Sequence, residues 1–147
     1  VFTEEELRAR NEIHLENYCQ VVGIEARTMI DMVKRSIFPA VCAFSGATAS
    51  GVAAKKAVLA DLDCTDEEEL LRHLSRLSAE MMRQCRALEE AMAASKGKDA
   101  YEAARYYRYT VFDLMGKLRA AVDELETITA REAWPYPSYT ELLFSVK

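Results

Sequence analysis

Apolar residues recur at steps of three or four along most of this chain, a spacing that is typical of amphipathic α-helices. The pattern predicts five helices at about residues 3–22, 24–43, 50–62, 66–94 and 100–132. No stretch shows the strict alternation of a half-buried strand, and no internal repeat is visible. The fold class expected from this pattern is all-α: a helical bundle with an extended aromatic C-terminal tail.

Local signals define where these helices should begin and end. Thr3 with Glu6, and Thr65 with Glu68, have the spacing of a capping box and predict two helix starts. Gly23 predicts an end or a bend between the first two helices, and the run of small residues at 45–51 predicts another interruption. The helix at 24–43 is apolar around most of its circumference, so we expect it to be surrounded by other elements.

The two long helices at 66–94 and 100–132 predict a helical hairpin. Each is about 30 residues, or roughly 45 Å at 1.5 Å per residue. Each carries one apolar stripe, from Leu70 to Met92 and from Ala104 to Ile128, and a short turn joins them. Antiparallel packing of the two stripes is therefore expected.

The C-terminal tail, residues 133–147, is unusually rich in large rings for a chain terminus. Residues 131–147 hold the only Trp, two of the three Pro, two of the seven Tyr and one of the five Phe. Each large ring buries on the order of 150–250 Å² when it packs. We expect the tail to dock, with these side chains as its anchors: Trp134, Tyr136, Tyr139, Leu143 and Phe144.

Length and charge narrow the possible functions. The chain has 147 residues, which favours one domain. Its net charge of -5 opposes general nucleic-acid binding. The longest uninterrupted apolar run, residues 37–44, is much shorter than the ~20 residues of a membrane span, so no membrane partner is expected. Since the chain starts at Val1, not Met, we expect a piece of a longer protein.

The segment 101–112 interleaves aromatic side chains with arginines. On a helix, Tyr101, Arg105, Arg108 and Phe112 fall on one strip beside the apolar stripe, whereas Tyr106 and Tyr109 should point elsewhere. Such residues stack on single-stranded nucleic acid but are also typical of protein interfaces. The acidic balance favours a protein interface or packing within the chain.

No pattern for catalysis or for a cofactor emerges. The two histidines, His14 and His73, lack the Glu-x-x-His spacing of a di-metal bundle site. Gly46 and Gly51 have the spacing of a phosphate loop but not the Lys and Ser/Thr that must follow. The four cysteines lie more than twenty residues apart, so we expect free, mostly buried thiols in a reducing compartment, the cytoplasm. Catalytic, cofactor and metal residues are thus all expected to be absent from this stretch.

Two segments carry a family resemblance. Residues 24–40, IEARTMIDMVKRSIFPA, resemble the Met-Ile-Asp-Met helix near the end of type III glutamine synthetases. Glu126 with residues 134–144, WPYPSYTELLF, resembles the closing stretch of the same enzymes, and residues 10–18 and the hairpin fit the region more weakly. The resemblance covers nearly the whole chain and keeps the family's order.

This resemblance implies a C-terminal helical region without catalytic residues. Type III glutamine synthetases make glutamine from glutamate, ammonia and ATP with a divalent metal, magnesium or manganese, as large homo-oligomers, and their substrate and metal motifs are missing here. The expected role is therefore structural: packing against the catalytic body of its own subunit or against neighbouring subunits. The alternative is a free-standing adaptor that binds a partner helix in a groove.

Overall fold

The computed structural model describes residues 3–137 and 139–144; for Tyr139, Thr140 and Phe144 it describes the backbone alone. Within these residues there are helices and connecting turns but no strand, which confirms the all-α fold class. The helices are α1 (Glu4–Val58), α2 (Thr65–Ala94), α3 (residues 100–128) and α4 (Tyr139–Phe144). A short 3-10 turn, Arg131–Ala133, lies between α3 and α4.

The expectation of five helices was wrong, because the three segments predicted at 3–22, 24–43 and 50–62 form one continuous helix, α1. Gly23 is a buried residue inside α1 and does not end a helix. A Cβ at Gly23 would lie 3.3 Å from the Arg27 guanidinium and 3.3 Å from the Tyr107 hydroxyl. Glycine here allows the close approach of a side chain from α3, a requirement that sequence alone does not distinguish from a helix end.

Pro39 does not break α1 because the helix widens just before it. Val33–Ile37 form a π-helical turn, in which the Phe38 N–H donates to the Val33 carbonyl five residues back. Proline lacks a donor and its ring crowds the preceding turn, and a π turn is one of the ways a helix accommodates such a disturbance. The small residues at 45–51 are likewise helical.

The long helices α2 and α3 pack against each other, and residues of both predicted stripes are buried. From α2, Leu74, Met81 and Leu88 are fully buried, and from α3, Leu118 and Leu125 are fully buried as well. The side chains of His73 and Glu124 approach to 3.5 Å at one end of the pair. At the other end the hydroxyls of Ser95 and Tyr107 lie 3.3 Å apart. The two helices therefore run antiparallel around the main apolar core.

The helix ends differ from expectation at one of the two predicted capping boxes. At Thr3 the box forms: the Glu6 N–H donates to the Thr3 hydroxyl at 3.3 Å, and the Thr3 N–H donates to the Glu6 carboxylate at 2.8 Å. At Thr65 it does not form, because Thr65 is already the first helical residue. Its N–H and hydroxyl instead donate to the Asp63 carboxylate at 3.0 and 2.6 Å.

Candidate functional site

Trp134 lies in the apolar core of its own chain. Only 8% of its surface is exposed, and Tyr136 packs partly against the same core cluster. The 3-10 turn positions the indole: the Trp134 N–H donates to the Ala130 carbonyl at 3.1 Å, and the turn lies against the 38–58 part of α1. The beginning of the tail therefore docks within the chain.

The end of the tail is placed differently. Leu143, a predicted anchor, is 67% exposed, and Leu142 beside it is 61% exposed. An ion pair between Arg131 and Glu141 holds α4 near the 3-10 turn. The side chains of Tyr139 and Phe144, also predicted anchors, lie outside the described residues. On its described face, α4 thus presents two leucines to solvent.

The aromatic–arginine strip forms on α3. The Arg105 guanidinium lies 6.0 Å from the Tyr101 ring centre, and that of Arg108 lies 5.3 Å from the Phe112 ring centre. Tyr101 and Phe112 are 61% and 48% exposed. Tyr109, which was expected to point elsewhere, lines the same groove as Tyr101 and both arginines, so that expectation was wrong.

A π-helical turn at Tyr107–Val111 explains the position of Tyr109. The Phe112 N–H donates to the Tyr107 carbonyl, five residues back. One extra residue in the turn changes the angular position of the side chains around it, and a prediction made with a period of 3.6 misplaces them. Tyr106 does lie apart from the groove: it is half-buried, with Lys98 5.0 Å from its ring centre.

The groove beside this strip follows the line along which α1 and α3 pack, and we call it the seam. It consists of three depressions of about 280, 250 and 340 Å³. The first two share Leu15 and Tyr101, and the third is lined by Met29 and Phe112. Residues further along α1 therefore contact residues further along α3, which means that the two helices run parallel. The seam between them is correspondingly long.

A second surface, which we call the α1 face, lies on residues 37–54, a stretch without a charged side chain. Ile37 and Val41 are buried against the core, but most of the other side chains are half-buried or exposed. A groove of about 620 Å³ separates this stretch from α2, with Phe38, Cys42 and Met82 in its lining. The helix predicted at 24–43 was expected to be surrounded, yet Ile24 is 61% exposed and Cys42 is also exposed.

The α1 face has a composition that a membrane span would also show. By length and apolar character, an 18-residue window of α1 passes as a candidate span, although only 11% of it is buried. No apolar run as long as a span marks this stretch, because serines, a threonine and glycines follow Phe44. A count of charges, not of consecutive apolar residues, would have found it.

No group of three or more His, Cys, Asp or Glu side chains within the described residues could hold a metal ion. Cys85 is buried, and this burial raises the pKa of its thiol, which opposes formation of the nucleophilic thiolate. The pKa values of Glu67 and Glu68 are lowered because each accepts a hydrogen bond from a lysine, Lys55 and Lys56.

The profile of the family described as glutamine synthetase C-terminal domain matches residues 1–56. A glutamine synthetase of Butyrivibrio fibrisolvens is 34% identical over 100% of this chain and 21% of its own length. A glutamine synthetase of Bacteroides fragilis is 29% identical, over 99% of this chain and 21% of the relative. The type-3 glutamine synthetase of Dictyostelium discoideum is 26% identical, over 95% of this chain and 20% of the relative.

Residues 1–56 thus match the glutamine synthetase C-terminal domain family, and the whole chain is similar to glutamine synthetases, one of them a type-3 enzyme. The chain spans about a fifth of the length of the curated relatives that it matches. The profile match covers almost the whole of α1, which ends at Val58. The matched part of the chain is therefore most of the long helix that carries the α1 face and one wall of the seam.

Proposed function

We propose that this chain is a non-catalytic domain of a type III glutamine synthetase and that it packs against the catalytic body of its subunit or against a neighbouring subunit. The names of the relatives and the share of their length that the chain covers support this assignment. In this proposal the full-length protein is a cytoplasmic homo-oligomer that makes glutamine from glutamate, ammonia and ATP. Nucleotide and magnesium or manganese would bind elsewhere in the subunit, as the resemblance to type III glutamine synthetases implies.

The observation that carries the proposal is the α1 face. Its 18 residues extend about 27 Å along the helix and contain no charge, although the chain as a whole carries 43 charged side chains, 19 basic and 24 acidic. Exposed apolar patches of several hundred Å² mark contact sites in soluble proteins. Gly46 and Gly51 have nothing within 4 Å of an added Cβ, so another backbone has room to approach closely there.

A protein contact explains this face better than a bilayer does. The 38–58 part of α1 packs along α2, and α2 carries exposed, ion-paired arginines such as Arg72, Arg76 and Arg83. A bilayer around α1 would also have to take up these charges, each of which costs several kcal/mol near its centre. A protein partner needs to cover only the uncharged side.

The test places a charge on the α1 face. Ala47 is exposed, so Ala47→Arg should leave the melting temperature of the 147-residue chain within about 2 °C of wild type, as for most surface substitutions. In the full-length protein the same change should reduce the assembled mass, measured by light scattering after gel filtration. The matched control is Ala120→Arg on α3, at an exposed position flanked by Arg119.

Three outcomes would contradict the proposal. Full-length protein carrying Ala47→Arg could retain both its assembled mass and its melting temperature, which would mean that nothing covers the α1 face. Alternatively, Ala120→Arg could impair assembly as strongly, which would mean that the effect is not specific to this face. Turnover of glutamate to glutamine by the 147-residue chain alone would contradict the non-catalytic assignment directly.

The seam supports a second candidate function, a helical adaptor that binds a partner in a groove. Its long exposed groove with aromatic and arginine side chains has the composition of interface hot spots. The open reading frame separates the two candidates. Several hundred in-frame codons upstream of Val1 would remove the free-standing adaptor, whereas a start codon directly before Val1 would favour it.

A further inference from the structure

We propose that the seam binds a peptide segment that carries carboxylate side chains next to apolar ones. This inference rests on the proposed function, since it assumes that the chain serves as a contact surface, and it names the chemistry of one partner. It concerns the middle depression above all, where Tyr101, Arg105, Arg108 and Tyr109 line one wall and Leu15 and Tyr18 line the other.

The charge of this depression is the first argument. Most arginines in the described chain contact a carboxylate: Arg8, Arg35, Arg72, Arg76, Arg83, Arg119 and Arg131 each lie within an ion pair. Among the described residues, Arg27, Arg86, Arg105 and Arg108 make no ion pair, and the last two contact the rings of Tyr101 and Phe112. Only Arg105 and Arg108 of these four line the same depression, so two neighbouring cations there lack a carboxylate partner in a chain whose net charge is -5.

The geometry of these arginines suits a carboxylate. A guanidinium next to an aromatic ring keeps its N–H edges available, and those edges match the two oxygens of a carboxylate. The ring contact also restricts the long side chain before binding, so less rotamer entropy is lost when a hydrogen bond forms. Both positions are exposed, so a partner reaches them without a rearrangement of the fold.

The rings around the arginines supply the apolar part of the site. Tyr109 is 71% exposed, Tyr101 61% and Phe112 48%. Side chains of this kind, together with arginine, are enriched in the centres of protein interfaces. A partner that inserts apolar side chains between the rings would bury them, and the carboxylates would then pair with arginines in a desolvated setting.

The ends of the seam limit where acidic side chains can bind. The first depression contains Glu12 and Asp99 together with Arg8, and the third contains Glu25 with Arg119. These carboxylates disfavour further negative charge at both ends. A partner with one or two acidic residues at its centre and apolar residues on either side therefore fits better than a long polyanion such as single-stranded nucleic acid.

The test measures binding of a fluorescein-labelled 12-residue peptide with glutamates at its centre and leucines on either side to the 147-residue chain, by anisotropy. A matched peptide with glutamine in place of glutamate should bind at least tenfold more weakly. The double variant Arg105→Gln/Arg108→Gln should lose at least tenfold in affinity for the glutamate peptide. The control Arg72→Gln/Arg83→Gln, which removes exposed arginines already paired on α2, should bind as wild type does.

Three results would overturn the inference: absence of binding by the glutamate peptide, equal binding of the two peptides, or unchanged affinity of the Arg105/Arg108 variant with its circular dichroism spectrum intact. Tighter binding of a 12-nucleotide oligo-dT than of the glutamate peptide would also overturn it, in favour of a nucleic-acid surface. These results are separable from the proposed function, because the Ala47→Arg assembly test does not involve the seam. Loss of assembly in that test with no peptide binding here would leave the domain assignment standing and remove the seam.

Discussion

Replacement of Trp134 by alanine tests whether the tail is part of the folded domain. The indole is 8% exposed and lies in the core cluster. A Trp side chain that buries about 150–250 Å² gains roughly 4–6 kcal/mol at 25 cal/mol per Å². Correction for a partly collapsed unfolded chain lowers this by about 10–40%. We therefore expect Trp134→Ala to reduce the free energy of unfolding by about 3–5 kcal/mol, which is typical of Trp truncation.

The measurement is urea unfolding of the 147-residue chain followed by circular dichroism at 222 nm. Since Trp134 is the only Trp, its fluorescence in the wild type reports the docking of the tail separately from the helix content. If the tail and the bundle unfold together, the two signals give the same midpoint. The variant should also melt about 6–20 °C lower, because 1 kcal/mol corresponds to roughly 2–4 °C in a chain of this size.

The control is Leu143→Ala, at a position 67% exposed in the same tail. Its effect should stay within about 0.5 kcal/mol, as for surface substitutions without a special contact. A loss of less than about 1 kcal/mol for Trp134→Ala would refute the argument that burial of this ring stabilises the chain. A wild-type fluorescence midpoint far below the circular dichroism midpoint would refute the cooperative docking.

Two further predictions concern acid sensitivity and the glycines. The pKa values of Glu67 and Glu68 are lowered in the folded state by their lysine partners, so their contribution to folding stability is full above the unfolded pKa of about 4.3 and is lost as the pH falls through the folded pKa values. The double variant Glu67→Gln/Glu68→Gln should therefore flatten the dependence of stability on pH below about 4.5. An unchanged dependence in this acidic range would contradict the pairing. Gly46→Ala should stabilise the isolated chain by about 0.5–1 kcal/mol, because the added Cβ meets open space in a helix. Gly23→Leu should destabilise the chain by roughly 1–3 kcal/mol through overpacking against the Tyr107 ring of α3. Equal effects of the two changes in thermal melts would show that Gly23 has no packing role.

The elements of this fold were predictable where a residue's role depends on its neighbours along the chain. The stripe from Leu74 to Leu88 is buried as its spacing indicates, and the Thr3 capping box forms. These features depend on contacts within one or two helical turns, or on a facing helix with the same simple period. The all-α class and the hairpin follow from them.

The errors arose where packing or a local irregularity of the helix decides the outcome. Gly23 was expected to end or bend a helix, but it lies inside α1, where an added Cβ would lie 3.3 Å from the Tyr107 hydroxyl of α3. Tyr109 was misplaced because it lies within a π turn, and a fixed period of 3.6 cannot represent such a turn.

The two candidate surfaces differ in how the sequence records them. In the sequence, the α1 face appears only as a stretch without charged residues between Arg35 and Lys55. The fold makes this stretch a surface, because only one side of the helix packs on α2. The seam is indicated in the sequence by alternating aromatic residues and arginines. The proposed binding site in it depends on two arginines that lack carboxylate partners within the described residues. A surface without charge and a surface with uncompensated charge need partners of different chemistry. One domain can therefore make two distinct contacts, and substitutions at Ala47 and at Arg105 should affect them independently.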